Sequence, residues 1–110
     1  MIAVIFEVTP KLSGKDEYLE IAADLKNHLS EMDGFISVER FQSLADSNRF
    51  LSLSFWRDEE AVKLWRNQIA HREAQKRGRK ELFNNYRLRV ANVLRDYGMN
   101  QRQQAPVDLK

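Results

Sequence analysis

The first block of the chain, IAVIFEV over residues 2–8, is β-branched or aromatic almost throughout. Only Glu7 interrupts it, and apolar side chains at both parities predict a strand covered on both faces. Pro10 is expected to end that strand and open a loop over residues 10–15. Ser13 followed by Asp16 and Glu17 has the form of a helix cap with acidic residues in the first turn. Beyond it Tyr18, Ile21, Ala22, Leu25, Leu29 and Met32 recur at helical spacing, with Glu20, Asp24, Lys26 and Glu31 largely on the opposite side. Asp33-Gly34 is the predicted stop.

The period then changes to that of strands. Residues 35–44 set Ile36 and Val38 against Phe35, Ser37, Glu39 and Phe41. Residues 49–56 set Leu51, Leu53 and Phe55 against Ser52, Ser54 and Trp56, giving one greasy face and one mixed face. Ala45-Asp46-Ser47-Asn48 between them is turn chemistry.

Residues 58–78 read as the second helix. Asp58, with Glu59 and Glu60 behind it, suits an N-terminus, where a short acidic side chain accepts from orphan N–H groups. Ala61, Val62, Leu64, Trp65 and Ile69 form an apolar stripe, and Gly78 is expected to close the helix. His71, Ala74, Gln75 and Gly78 share a small polar face. Residues 82–97 predict a long last strand, with Tyr86, Leu88, Val90, Asn92 and Leu94 opposing Arg87, Arg89, Ala91, Val93 and Arg95.

The order β-α-β-β-α-β predicts an α+β, ferredoxin-like domain with an antiparallel sheet over residues 1–98, followed by a polar, mobile tail over 99–110. Helices on such a sheet cover one face. The other is expected to hold Phe35, Phe41, Ile5 or Val4, Ala91 and Val93, interleaved with Glu39, Ser52 and Ser54. Covering it requires a homodimer through that face.

Composition narrows the function. The 110 residues contain no cysteine, which excludes disulfides, thiolate metal sites and cysteine nucleophiles. The histidines, His28 and His71, are far apart, so no metal site is expected. The longest apolar run, residues 2–6, is too short for a membrane span or a signal-peptide core, and a cytoplasmic protein is expected. The net charge of +2 hides an acidic first half, −4 over residues 1–56, and a basic stretch, +6 over 57–95. A solvated basic helix and strand opposite an acidic helix accounts for this without an anionic partner. RNA-recognition domains share the topology, but Arg49-Phe50-Leu51-Ser52 lacks their glycine-aromatic pattern, so no nucleic acid is expected. No glycine-rich nucleotide loop is present either.

The sequence is similar to the antibiotic biosynthesis monooxygenase family over about residues 2–97. The likeness rests on Val4-Ile5-Phe6-Glu7, Gly34-Phe35, Ser54-Phe55-Trp56, and Glu60-Ala61 leading to Trp65 and His71-Arg72, with Gly78 and Tyr86 beyond. The resemblance implies a homodimer of ferredoxin-like subunits, a dimeric α/β barrel with a pocket between helices and sheet. It also implies oxidation of a small phenolic or quinol-type aromatic compound by molecular oxygen, without metal, flavin or other cofactor. A non-catalytic dimeric ligand binder, or a haem-binding or haem-degrading relative, is the alternative. The haem-degrading branch has an Asn near the end of the first strand and a His ten residues after the helical Trp. Here those places hold Glu7 or Val8, and Gln75.

The candidate catalytic residues are His71 and Trp65; the candidate substrate-binding residues are Gln75, Tyr86 and Glu7. His71 is a base near neutral pH, and equally a helix cap. Trp65 is a pocket wall or a core anchor. Glu7 is either a buried acid with a raised pKa or, preferably, an ion pair with Arg87 or Arg89. Tyr86 is a ligand contact or strand packing. On an unbroken helix His71 stands about 120° around the axis from Trp65, so their convergence requires a break near residues 69–70.

Overall fold

The computed structural model describes residues 1–75 and 83–108, with the side chains of 69–75 excepted. Six elements follow in the expected order: β1 (Ile2–Pro10), α1 (Lys15–Leu29), β2 (Phe35–Gln42), β3 (Phe50–Trp56), α2 (Glu59–Gln75) and β4 (Phe83–Asn92). The strands form one four-stranded antiparallel sheet in the order β2-β3-β1-β4. This is the α+β, ferredoxin-like arrangement. β1, apolar at both parities, is central, as a doubly covered strand must be.

The core fixes which face the helices cover. Ile2 and Val4 of β1 and Trp56 of β3 are buried with Leu29 of α1 and Ala61 and Val62 of α2. Toward the other end of β1, Val8 and Phe50 are buried with Tyr18 of α1. The even positions of β1 therefore face the helices, and the odd positions Ala3, Ile5 and Glu7 face away. Register carries this across the sheet. Ser54 and Ser52 pair with Val4 and Phe6, whereas Leu51, Leu53 and Phe55 pair with Glu7, Ile5 and Ala3.

This corrects two expectations. Ser52 and Ser54 lie on the helix side, and the greasy parity of β3 lies on the open side. Phe35 also faces the helices: it pairs with Trp56, but Ser37 pairs with Phe55, so Ile36 is an extra residue that changes the parity of β2. Phe41 and Glu39, which pair with Leu51 and Leu53, do occupy the open face.

Turn chemistry is local and mostly as expected. The Asp46 carboxylate accepts from the Asn48 N–H at 2.9 Å, and Ser43 Oγ accepts from the N–H groups of Ala45 and Asp46. Gly34 sits at φ +85, the left-handed region that favours glycine. The Ser13 cap is a correction: residues Leu12–Gly14 make a 3-10 turn, and α1 starts without a side-chain cap hydrogen bond. α1 also ends at Leu29, short of Met32. The chain leaves the sheet after Asn92, earlier than residue 97, with Val93 N–H donating to Met1 O at 3.0 Å. The predicted helix stop at Gly78 and strand start at Leu82 lie outside the described residues.

Candidate active site

The helices leave part of their own side of the sheet bare. Tyr86, Leu88 and Val90 pair with Val8, Phe6 and Val4, so they share the helix side. Yet they remain 42, 47 and 45% exposed. They form an exposed apolar row on the edge strand of the sheet.

Aromatic groups gather at the Tyr86 end of the row. Near Tyr86 are Phe6, with ring centroids 5.7 Å apart, and Phe83 at 6.0 Å. Tyr18 packs on Phe83 at 5.6 Å and on Phe50 at 6.2 Å. Burial pushes the Tyr18 phenol above its ordinary pKa, and the Arg40 guanidinium over its ring opposes that shift. Trp56, which pairs with Ile2 of β1, packs on Trp65, with centroids 5.2 Å apart and planes at 34°. Trp56 is fully buried and donates its indole N–H to Ser54 Oγ at 2.9 Å. Trp65 packs against the same core, and its Nε1 is enclosed without an acceptor among the described residues.

The start of α2 sets where Trp65 stands. Asp58 Oδ1 accepts the Ala61 N–H at 3.0 Å, the cap that the sequence predicts. That hydrogen bond, with Arg57 beside it, holds the Asp58 carboxyl below its usual pKa. Arg57 also makes a two-pronged bond to Asp33, at 3.1 and 3.0 Å, and donates its backbone N–H to Gly34 O at 2.7 Å. The α1–β2 turn and the β3–α2 turn are thereby clamped together, about two helical turns before Trp65. Sequence reasoning missed Arg57; a lone Arg between a strand and a helix cap carries no signal until Asp33 is brought beside it.

The five predicted site residues divide. Trp65 and Tyr86 lie on the helix side, Trp65 against the Trp56 core and Tyr86 on β4. Glu7 lies on the open face, where it accepts from Arg49 Nη2 at 2.9 Å and Arg89 Nη1 at 3.0 Å. The Arg49 hydrogen bond, joined by the charge of Arg89, holds its carboxyl below the ordinary value. The raised-pKa alternative is thus overturned, the ion pair with Arg89 is present, and Arg49 was not foreseen. The side chains of His71 and Gln75 lie outside the described residues. The α2 backbone is continuous through Glu59–Gln75, so the break near residues 69–70 is absent and His71 starts about 120° around the axis from Trp65. Among the described residues no cluster of His, Asp and Glu is suited to a metal ion, and no helix is long and apolar enough to cross a membrane.

A ferredoxin-like subunit thus carries an exposed apolar row on the helix side of its sheet. Residues 1–77 match the model of the antibiotic biosynthesis monooxygenase family, and the chain belongs to that family. It is 46% identical over 93 residues to the jasmonate monooxygenase ABM of Pyricularia oryzae, covering 84% of this chain and 43% of that protein. The chain thus spans less than half the length of that relative. Among solved structures it is similar to SnoaB, a cofactor-independent oxygenase of Streptomyces nogalater, with a TM-score of 0.70 and 13% identity over 86% of this chain and 94% of that one. It is also similar to MhuD, a haem degrader of Mycobacterium tuberculosis, with a TM-score of 0.68 and 17% identity over 89% and 100% of the two chains.

Proposed function

We propose that this chain is a monooxygenase for a small, mainly apolar organic compound bound along Tyr86, Leu88 and Val90, with Trp65 as a wall. The observation that carries the reading is that exposed apolar row on the helix side of the sheet. A phenol or quinol is the substrate class, because its conjugate base can hand electrons to oxygen without a metal or flavin. For a ring methylene conjugated to such a group the balance is R–CH2–R′ + O2 → R–CO–R′ + H2O. Two C–H bonds break, a carbonyl forms, and the second oxygen atom leaves as water, all four electrons coming from the substrate. The protein's part is to bind, orient and exclude water, the substrate's own acidity releasing the proton.

Oxygen consumption with a panel of quinols and anthrones, in chelator and without reductant, tests this. One O2 per substrate and one labelled oxygen atom in the product are expected. Uptake that appears only when a reduced nicotinamide or flavin is added would sink the cofactor-independent reading.

The fungal relative favours a second reading, a jasmonate-like keto acid. Hydroxylating an unactivated carbon in such a molecule follows RH + O2 + 2 e⁻ + 2 H⁺ → ROH + H2O, so an electron donor is needed. Jasmonate turnover that depends on added reductant distinguishes the two.

The same reading includes a homodimer. Leu51, Leu53, Phe55, Phe41 and Ile5 on the open face support it, since two such faces would cover each other.

A further inference from the structure

We propose, resting on the homodimer reading, that the open face of the sheet is keyed by charge to accept a second copy in one orientation. The two-fold axis runs along the strands, and Glu39 of each copy meets the partner's Arg87.

The charges of the open face are unevenly placed. Sheet order puts β2 and β4 on opposite edges, with β3 and β1 between them. Near the centre Glu7 is matched within its own chain, since it holds both Arg49 and Arg89. Glu39 and Arg87 differ from it. Pairing sets both on the open face, Glu39 beside Leu53 and Arg87 beside Glu7, and both are exposed. Neither side chain has an ion-pair or hydrogen-bond partner among the described residues. One edge of the face thus carries a spare anion and the other a spare cation.

A sheet can meet its own copy face to face about either of two in-plane axes. An axis across the strands lays β4 on the partner's β4 and β2 on the partner's β2. Arg89 then opposes the partner's Arg89, and Glu39 the partner's Glu39, because both stand at the level of Ile5, midway along the face. That axis also reverses the strands. The charged level of Glu7 falls where Ala3, Phe55 and Ala91 offer no countercharge.

An axis along the strands avoids both conflicts. It keeps each level over its own, lays Phe55 on the partner's Ala3, large side chain on small, and brings the β2 edge over the β4 edge. Glu39 and the partner's Arg87 then differ in level by two residues, about 7 Å, within the joint reach of their side chains. Like charges across an interface are costly and opposite charges fix its register, so the charge pattern selects this axis.

Sedimentation of charge-reversed chains tests this. Glu39→Arg alone sets two cations together at both symmetric contacts, and Arg87→Glu alone sets two anions together. Each should raise the dimer dissociation constant roughly tenfold or more. An equal mixture of the two variants should form a heterodimer as tight as the unaltered dimer, because both of its contacts are then opposite in charge. The double variant should also recover, and added salt should narrow the differences.

An unaltered dimer whose dissociation constant neither reversal changes overturns the proposal. So does a mixture no tighter than the separate variants. Where a reversal does not fold, Glu39→Gln and Arg87→Gln replace it: each should weaken the dimer, and both together no more than either alone, whereas additive losses overturn the pairing. An unaltered chain that sediments as a monomer at micromolar concentration overturns the homodimer reading instead.

Discussion

The two faces of β3 relate hydrophobicity to burial in opposite ways. Leu51, Leu53 and Phe55 are the more apolar set, yet neither helix covers them. Phe50, Ser52, Ser54 and Trp56 interleave hydroxyls with aromatics, and this is the side that α1 and α2 close over. Volume explains the choice. A helix seated on a sheet needs small side chains beside large ones, and the serines make room for two indoles in contact. The lone polar group this buries is satisfied, since Ser54 receives the Trp56 N–H. A strand's greasier parity therefore need not be the parity its own helices bury. It can equally be the face left for another chain.

The sharpest way to break this comparison is to delete its deepest member. Trp56 is 0% exposed and contacts Phe35, Trp65 and the α2 core. Trp56→Ala should cost about 3–5 kcal/mol in urea unfolding, as large aromatic deletions in cores do. A loss below about 1 kcal/mol would mean the helix side is not the structural core.

The next effect belongs to the open face. Phe55→Asp has Ala3 and Ser37 as its cross-strand neighbours, so the new charge finds no partner there. In sedimentation the unaltered chain is expected at about twice its 13.0 kDa, and the variant at the monomer mass. If both sediment alike, the open face of β3 is not the dimer contact.

Much of this was legible in the sequence. Element order and type follow from periodicity, and the Asp58 cap follows from side-chain chemistry, whereas α1 ends at Leu29, before the predicted Asp33-Gly34 stop. What was not legible is the parity of β2 and β3. One extra residue at Ile36 reverses every later position of β2 relative to the helices, and nothing in FISVERF marks it. The site shows the same division. Trp65 and Tyr86 announce themselves as aromatics at regular spacing. That Glu7 sits on the opposite face depends on the register of β1 against its neighbours, and that depends on the whole sheet.

Gly34 carries the third prediction. A Cβ there would meet Ala61 Cβ at 2.6 Å, on a backbone held at φ +85. Gly34→Ala should therefore lose roughly 1–3 kcal/mol. The second change Ala61→Gly should return part of that loss, because it removes the collision and leaves the backbone strain. Full recovery would mean the collision is the entire cost. No loss in the single variant would mean the α1–β2 and β3–α2 turns are not clamped as described.

The smallest effect is the acid response of the open face. Arg49 and Arg89 depress the Glu7 pKa in the folded chain, so folding favours its ionised form. The contribution is complete above the ordinary glutamate value of about 4.3 and disappears as pH falls through the lower folded value. Glu7→Gln removes it at every pH. The stability difference between the two proteins should thus be constant from neutral pH down to about 4.3 and shrink below that. Asp33 and Asp58 also titrate below their usual values, but they lie on the helix-capping clamp and cancel in the comparison. Salt should reduce the plateau, because both arginines are half exposed. A difference that stays flat down to pH 2 would show that Glu7 gains nothing from the arginines as an anion. A plateau insensitive to salt would show instead that the triad is shielded from water, as it would be between two closed sheet faces.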